Sequence, residues 1–210
     1  KDKCIELIQK FTSYDNVKDE LLLAYNKGII ESKFYKYSNL QIIEYSNLMS
    51  YILDSNKKNA IIENGDMNLD LKQSNLWAYG ISGDKPILAI TITRKIESVY
   101  IKKILKAYKY IKRKGVDFDL VICIKSKQEY TDQIYQEVLR HVGINGLRCD
   151  INYGIYVIDY NNVNENIKKI IQSMAVLNLD CKQYSNILKI EDKAVDKDVD
   201  NGLDIIKRDN

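Results

Sequence analysis

Between Pro86 and Leu177 the sequence alternates two hydrophobic periods, and that alternation limits the folds open to it more than any other feature. Pro86-Ile87-Leu88-Ala89-Ile90-Thr91-Ile92-Thr93 is a continuous apolar, β-branched run. Phe118 to Ile124 is another and Gly154 to Ile158 a third, as expected of strands buried on both faces. Val99 to Lys114, Tyr130 to Val142 and Val163 to Leu177 space their apolar side chains as helices do. Strand, helix, strand, helix, strand, helix favours parallel strands with right-handed helical crossovers, because a parallel return needs a long connection and the helices cover the sheet. The fold class is therefore α/β: a small parallel-sheet, three-layer, Rossmann-like unit over 84–188, preceded by a helical segment. A fourth strand is expected from Asn59 to Leu71 or from Tyr184 to Ile190.

The first 58 residues read as helices. Apolar positions 4, 5, 8 and 11 share one face, and Leu21, Leu22, Tyr25 and Ile29 repeat the spacing between Val17 and Ile30. Ser38, with Gln41 three residues on, is the pattern of a capping box that opens a third helix running to Leu53. The polar run Asp54 to Asn59 and the Asn64-Gly65-Asp66 break then predict a connecting loop, with a glycine turn, over 59–83. From Lys189 onward twelve of 22 residues are charged, too dense a charge to bury a core, so 189–210 reads as a linker or tail.

Composition excludes several classes. Hydrophobic residues make up 45% of the 210 and charged residues 29%, which excludes a fully disordered polymer; Pro 1 and Gly 9 exclude a collagen-like chain. Lys+Arg 32 against Asp+Glu 29 leaves +3, which names no polyanionic partner. The longest apolar stretches, such as Leu120 to Ile124, are far short of a bilayer span, so no direct membrane contact is expected. Cys4, Cys123, Cys149 and Cys181 are widely separated and read as buried thiols of a reducing compartment, neither a zinc knuckle nor a disulfide framework. The sequence opens on Lys1, as expected of a piece of something longer, so the lack of a leader is not evidence for the cytoplasm.

The chemistry-bearing residues are few. Leu76-Trp77-Ala78-Tyr79-Gly80-Ile81-Ser82-Gly83-Asp84-Lys85-Pro86 precedes the first strand, whereas a phosphate-cradling loop follows a strand and opens a helix. It reads as a tight turn in which Gly80 and Gly83 take positive φ. Trp77, Tyr79, Ser82 and Asp84 are the candidate substrate-binding residues, through stacking of the indole on a sugar ring, against the commoner role of a lone aromatic beside a turn, which is to pack against the protein. The basic helix around Lys102 to Lys114 reads as a solvated crossover face, so nucleic acid is not an expected partner. His141 is the only histidine, which excludes a histidine-rich metal site; it is expected at a partly exposed helix end. Asp117 and Asp119 flank a strand start, as turn residues do. No catalytic residue, metal ligand or cofactor is identified.

Helical Asp19 to Glu31, then Leu40 to Leu53, then Leu76 to Ile87, then Leu105-Lys106-Ala107-Tyr108-Lys109-Tyr110-Ile111-Lys112-Arg113-Lys114-Gly115-Val116-Asp117-Phe118-Asp119-Leu120-Val121-Ile122, taken in that order, resembles the interior of cyclic β-1,2-glucan synthase proteins. The Trp77 to Pro86 turn is its most specific piece, and the likeness covers roughly residues 15–180. The resemblance implies a stretch lying between β-sandwich modules of the glycosyltransferase family 36 type, shared with cellobiose-phosphorylase-like enzymes. It further implies a carbohydrate-active parent working by glycosyl transfer or phosphorolysis on β-glucans, membrane-associated with its modules on the cytoplasmic side. The stretch itself would be a non-catalytic accessory module. Its partners would be the flanking β-sandwich and catalytic domains, with a β-glucan contact near Trp77. The alternative expectation is a stand-alone Rossmann-like module that binds a nucleotide or other anion in the loops after Thr93, Lys125 and Asp159.

Overall fold

A computed structural model describes residues 2–54 and 73–180. Its contacts divide the chain into two compact units, Lys1–Ile43 and Glu44–Asn210. The first holds α1 (Asp2–Phe11), α2 (Tyr14–Phe34) and the start of α3 (Asn39–Leu53). The expected capping box forms at Ser38: its Oγ accepts from the Gln41 amide at 3.2 Å, and Gln41 Oε1 accepts from the Ser38 amide at 3.0 Å.

In the second unit the rest of α3 is followed by a 3-10 helix (Gln73–Tyr79), β1 (Ile87–Ile92), α4 (Ser98–Arg113), β2 (Asp119–Ile124), α5 (Gln128–Ile144), β3 (Ile155–Asp159), α6 (Glu165–Met174) and β4 (Ala175–Asp180). The strands form one sheet in the order β3-β2-β1-β4, with every pairing parallel. The expected α/β unit is what the chain forms. β1 and β2 are the interior strands, and β2 is buried at all six positions, which is why they read as unbroken apolar runs.

On one face of the sheet Ile87, Ala89, Val121, Cys123, Tyr156 and Ile158 pack against Ile167, Ile170 and Ile171 of α6 and against Leu76 and Ile81. Strand alternation puts Leu88, Ile90, Leu120 and Ile122 on the other face, with α4 and α5. There Tyr45 of α3 stacks on Tyr110 of α4 at 5.5 Å between ring centroids. Among the described residues no helix is long and apolar enough to cross a membrane.

Several expectations need correction. The segments proposed as a fourth strand, 59–71 and 184–190, lie outside the described residues. The fourth strand found is β4, and its first three residues were expected to end the last helix. Over so few residues a period of 2 and one of 3.6 are hard to tell apart; pairing with β1 decides for strand, and Ala175 is already extended at φ −66° and ψ 126°. A register shift between Ile87 and Leu88 then turns Leu177 and Leu179 to the face of Leu88 and Ile90. His141 is 1% exposed, not a partly exposed end residue, because α5 runs on to Ile144 and carries it into the contact with α4. Of the thiols, Cys123 is buried, Cys149 partly so, and Cys4 is exposed on a helix with no buried residue. Cys181 lies outside the described residues.

Candidate functional site

The glycine corner ahead of β1 is built from its backbone. The 3-10 helix ends where the Gly80 amide donates to Trp77 O at 3.0 Å and the Ile81 amide to Leu76 O at 3.3 Å. Gly80 and Gly83 both stand at φ +75°, a conformation that costs a residue with a Cβ about 1–2 kcal/mol. Leu76 and Ile81, on either side of the reversal, are wholly buried and pin it to the α6-side core. The corner is closed as the sequence predicts.

The four candidate residues separate at this corner. Trp77 is 64% exposed, and its Nε1 donates to Ser82 O at 3.3 Å, so the ring is fixed at one edge while much of the indole faces solvent. Ser82 Oγ accepts from the Asp84 amide at 3.2 Å, which stiffens the turn. Tyr79 instead packs against the buried cluster. The structure therefore brings Trp77, Ser82 and Asp84 together and sends Tyr79 inward.

Beneath the corner lies a charged cluster that the sequence showed only as turn residues. Lys85 Nζ stands 2.8 Å from Asp117 Oδ2, and Lys112 holds the other carboxylate oxygen. Those two hydrogen bonds keep Asp117 below the usual carboxylate range. Asp119, two residues on, is 2% exposed, and burial pushes its carboxyl up. The Tyr108 hydroxyl donates to Tyr153 O, and an open groove of about 300 Å³ lies alongside, lined among others by Tyr108, Lys109, Lys112, Leu147 and Tyr153. The groove's lysines are engaged: Lys109 Nζ donates to Asn145 O at 2.8 Å, and Lys112 to Asp117. They close the C-terminal ends of α4 and α5, where helix dipoles favour cations.

The carboxyl ends of the strands are the other candidate. Strand order reverses between β1 and β4, the place where open parallel sheets receive ligands. The loop after β1, however, is filled by Glu97, a residue the sequence reading missed. Its carboxylate is 1% exposed and accepts from the Thr93 amide at 2.8 Å, the Arg94 amide at 3.1 Å, the Thr93 hydroxyl at 3.0 Å and Arg94 Nε at 2.9 Å. Burial pushes this carboxyl up, but the Thr93 and Arg94 donors together outweigh it and hold it below its ordinary value. The amides that could cradle a phosphate before α4 are thus turned on an internal anion. The only available signal was a Thr93-to-Glu97 spacing of four, too common to single out.

The loops after β2 and β3 are tied to one another. Asn161 Nδ2 donates to Ser126 O and to Thr131 Oγ1, both at 2.9 Å, while Asp159 accepts from the Asn161 amide at 2.9 Å and from Asn162 Nδ2 at 2.7 Å. The buried thiol of Cys123 is pushed up to about 12 by burial, so it is not a thiolate at neutral pH. His141 Nε2 meets Glu137 Oε1 at 3.2 Å, and its buried Nδ1 has no hydrogen-bond partner among the described residues. No protein-family model matches the chain, and no curated protein matches it.

Proposed function

We propose that the chain is a non-catalytic accessory module of a cyclic β-1,2-glucan synthase-like protein, its α/β unit holding neighbouring carbohydrate-handling modules in place. The reading rests on the ordered series of sequence words through Leu76 to Ile87, and its main structural support is the form those residues take. Leu76 and Ile81 are sealed into the core, the turn satisfies its own backbone, and it feeds an interior strand. Such a corner suits a rigid join. The one large surface it offers is the indole of Trp77, held at its nitrogen and available to a sugar ring or to an adjoining module.

A second reading, a nucleotide- or anion-binding Rossmann-like module, draws support from the strand order alone. Its ligand would have to displace the Glu97 carboxylate or avoid the β1 loop.

The two are separated by titrating the chain with linear β-1,2-gluco-oligosaccharides and with ATP while following Trp77 fluorescence and thermal stability, alongside assays of glucosyl transfer from UDP-glucose and phosphorolysis of β-1,2-glucan. The expected result is no turnover, with a fluorescence response to glucan and a thermal stabilisation by glucan that Trp77→Ala abolishes. No response to either ligand leaves a purely structural module. Stabilisation by ATP alone supports the second reading, and turnover by the chain overturns the first.

A further inference from the structure

The sequence holds three Asn-Gly pairs, Asn64-Gly65, Asn145-Gly146 and Asn201-Gly202, and the second lies among the described residues. Asparagine is thermolabile, most of all before glycine, whose lack of a Cβ leaves the following nitrogen unshielded. In such a pair the glycine nitrogen attacks the side-chain carbonyl carbon. At Asn145 a bond would close from Gly146 N to Cγ while the Cγ–Nδ2 bond breaks, and the Gly146 amide proton would leave with that nitrogen as ammonia. Water then opens the cyclic imide at either carbonyl, giving aspartate or isoaspartate. The last turn of α5 holds each participant elsewhere. Asn145 Nδ2 donates to His141 O at 2.8 Å, and the Gly146 amide donates to Gly143 O at 2.9 Å. Asn145 O accepts from Lys109 Nζ at 2.8 Å, which ties the turn to α4. With Asn145 at ψ 3°, the Gly146 nitrogen is swung away from Cβ, whereas ring closure needs the two eclipsed.

We propose that Asn145 is a deamidation site controlled by the last turn of α5, unreactive while the turn is closed and converted when the turn opens from α4. The opening is local. It must free the Gly146 amide from Gly143, release Asn145 Nδ2 from His141 and rotate ψ of Asn145, and none of these separates the strands of the sheet. Conversion runs one way. The product has lost the Nδ2 donor, and its new carboxylate stands at the negative end of the α5 dipole. Isoaspartate also adds an atom to the main chain ahead of Gly146, which displaces the Gly146 amide from Gly143 O and the Leu147 amide from Val142 O. A turn that has reacted therefore no longer closes as it did.

Peptide mapping by mass spectrometry tests this on the full chain, incubated at mildly alkaline pH in native buffer and in concentrated urea. Aspartate and isoaspartate at position 145 should accumulate roughly tenfold or more slowly in native buffer than in urea. Lys109→Met keeps the apolar stem but removes the ammonium from Asn145 O, so it should speed conversion severalfold in native buffer and leave the urea rate unchanged. Glu97→Gln weakens the fold at the start of α4 and leaves the turn intact, so its native rate should match that of the unsubstituted chain. Far-ultraviolet circular dichroism verifies that both variants fold. Equal rates in native buffer and urea overturn the proposal, as does no conversion in urea. So does a native rate that Lys109→Met leaves unchanged, or that Glu97→Gln raises as much as Lys109→Met does.

Discussion

Gly154, at the entrance to β3, is where one added methyl group should do the most damage. Its φ is +64°, and a Cβ built there would stand 2.6 Å from Asp119 Oδ1 and 3.3 Å from Phe118 O. The backbone conformation alone costs about 1–2 kcal/mol with a Cβ present. Crowding a buried carboxylate at the head of an interior strand adds about 1–3 kcal/mol, the usual range for overpacking. Gly154→Ala is therefore expected to destabilise by about 2–5 kcal/mol, a fall of roughly 5–15 °C in Tm for a chain of this size. Gly115, at φ +84° with nothing within 4 Å of an added methyl, isolates the backbone part, so Gly115→Ala should cost only about 1–2 kcal/mol. Urea unfolding followed by far-ultraviolet circular dichroism measures both. Combining Gly154→Ala with Asp119→Ala removes the nearest atom, and the pair should then be less damaging than the sum of the two by about 1–3 kcal/mol. Equal losses at Gly154 and Gly115, together with strict additivity between Gly154 and Asp119, would refute the close approach.

Glu97→Gln replaces a buried carboxylate that gathers four donors by a side chain with a single acceptor oxygen, and should cost about 1.5–3 kcal/mol near neutral pH. Because the folded-state carboxyl is held below its ordinary value, its contribution is present above about pH 4.5 and is lost as pH falls through the folded value; Glu97→Gln should lose less stability over that window, as denaturation curves at a series of pH values would reveal. His141 shifts stability in the same direction, for a different reason. Burial lowers its affinity for a proton against the attraction of Glu137, with Arg140 and Lys102 adding to the lowering, so the unfolded chain takes up the proton first and stability falls as pH drops below about 6.5. His141→Leu should flatten the stability profile between about pH 7.5 and about pH 5.5, and an unchanged slope would assign that dependence to other groups.

Much of the architecture follows from local physics. Unbroken runs such as Ile87 to Ile92 and Leu120 to Ile124 can satisfy their backbone and their apolar side chains only as interior strands, so they are legible without neighbours. The Ser38–Gln41 cap and the Gly80–Gly83 corner rest on chemistry confined to a few adjacent residues, and both form as the sequence implies. β4 was not legible in this way, because Ala175 to Asp180 becomes a strand only by adding to the edge of β1. The inward turn of Tyr79, the burial of His141 and Asp119, and the capture of the Thr93 and Arg94 amides by Glu97 likewise depend on partners in space. Sequence by itself determined the interior strands, the main helices and the glycine corner, since period and turn chemistry act over a few residues. The tertiary structure alone decided which charged groups are buried, because burial is set by packing between segments far apart in the chain.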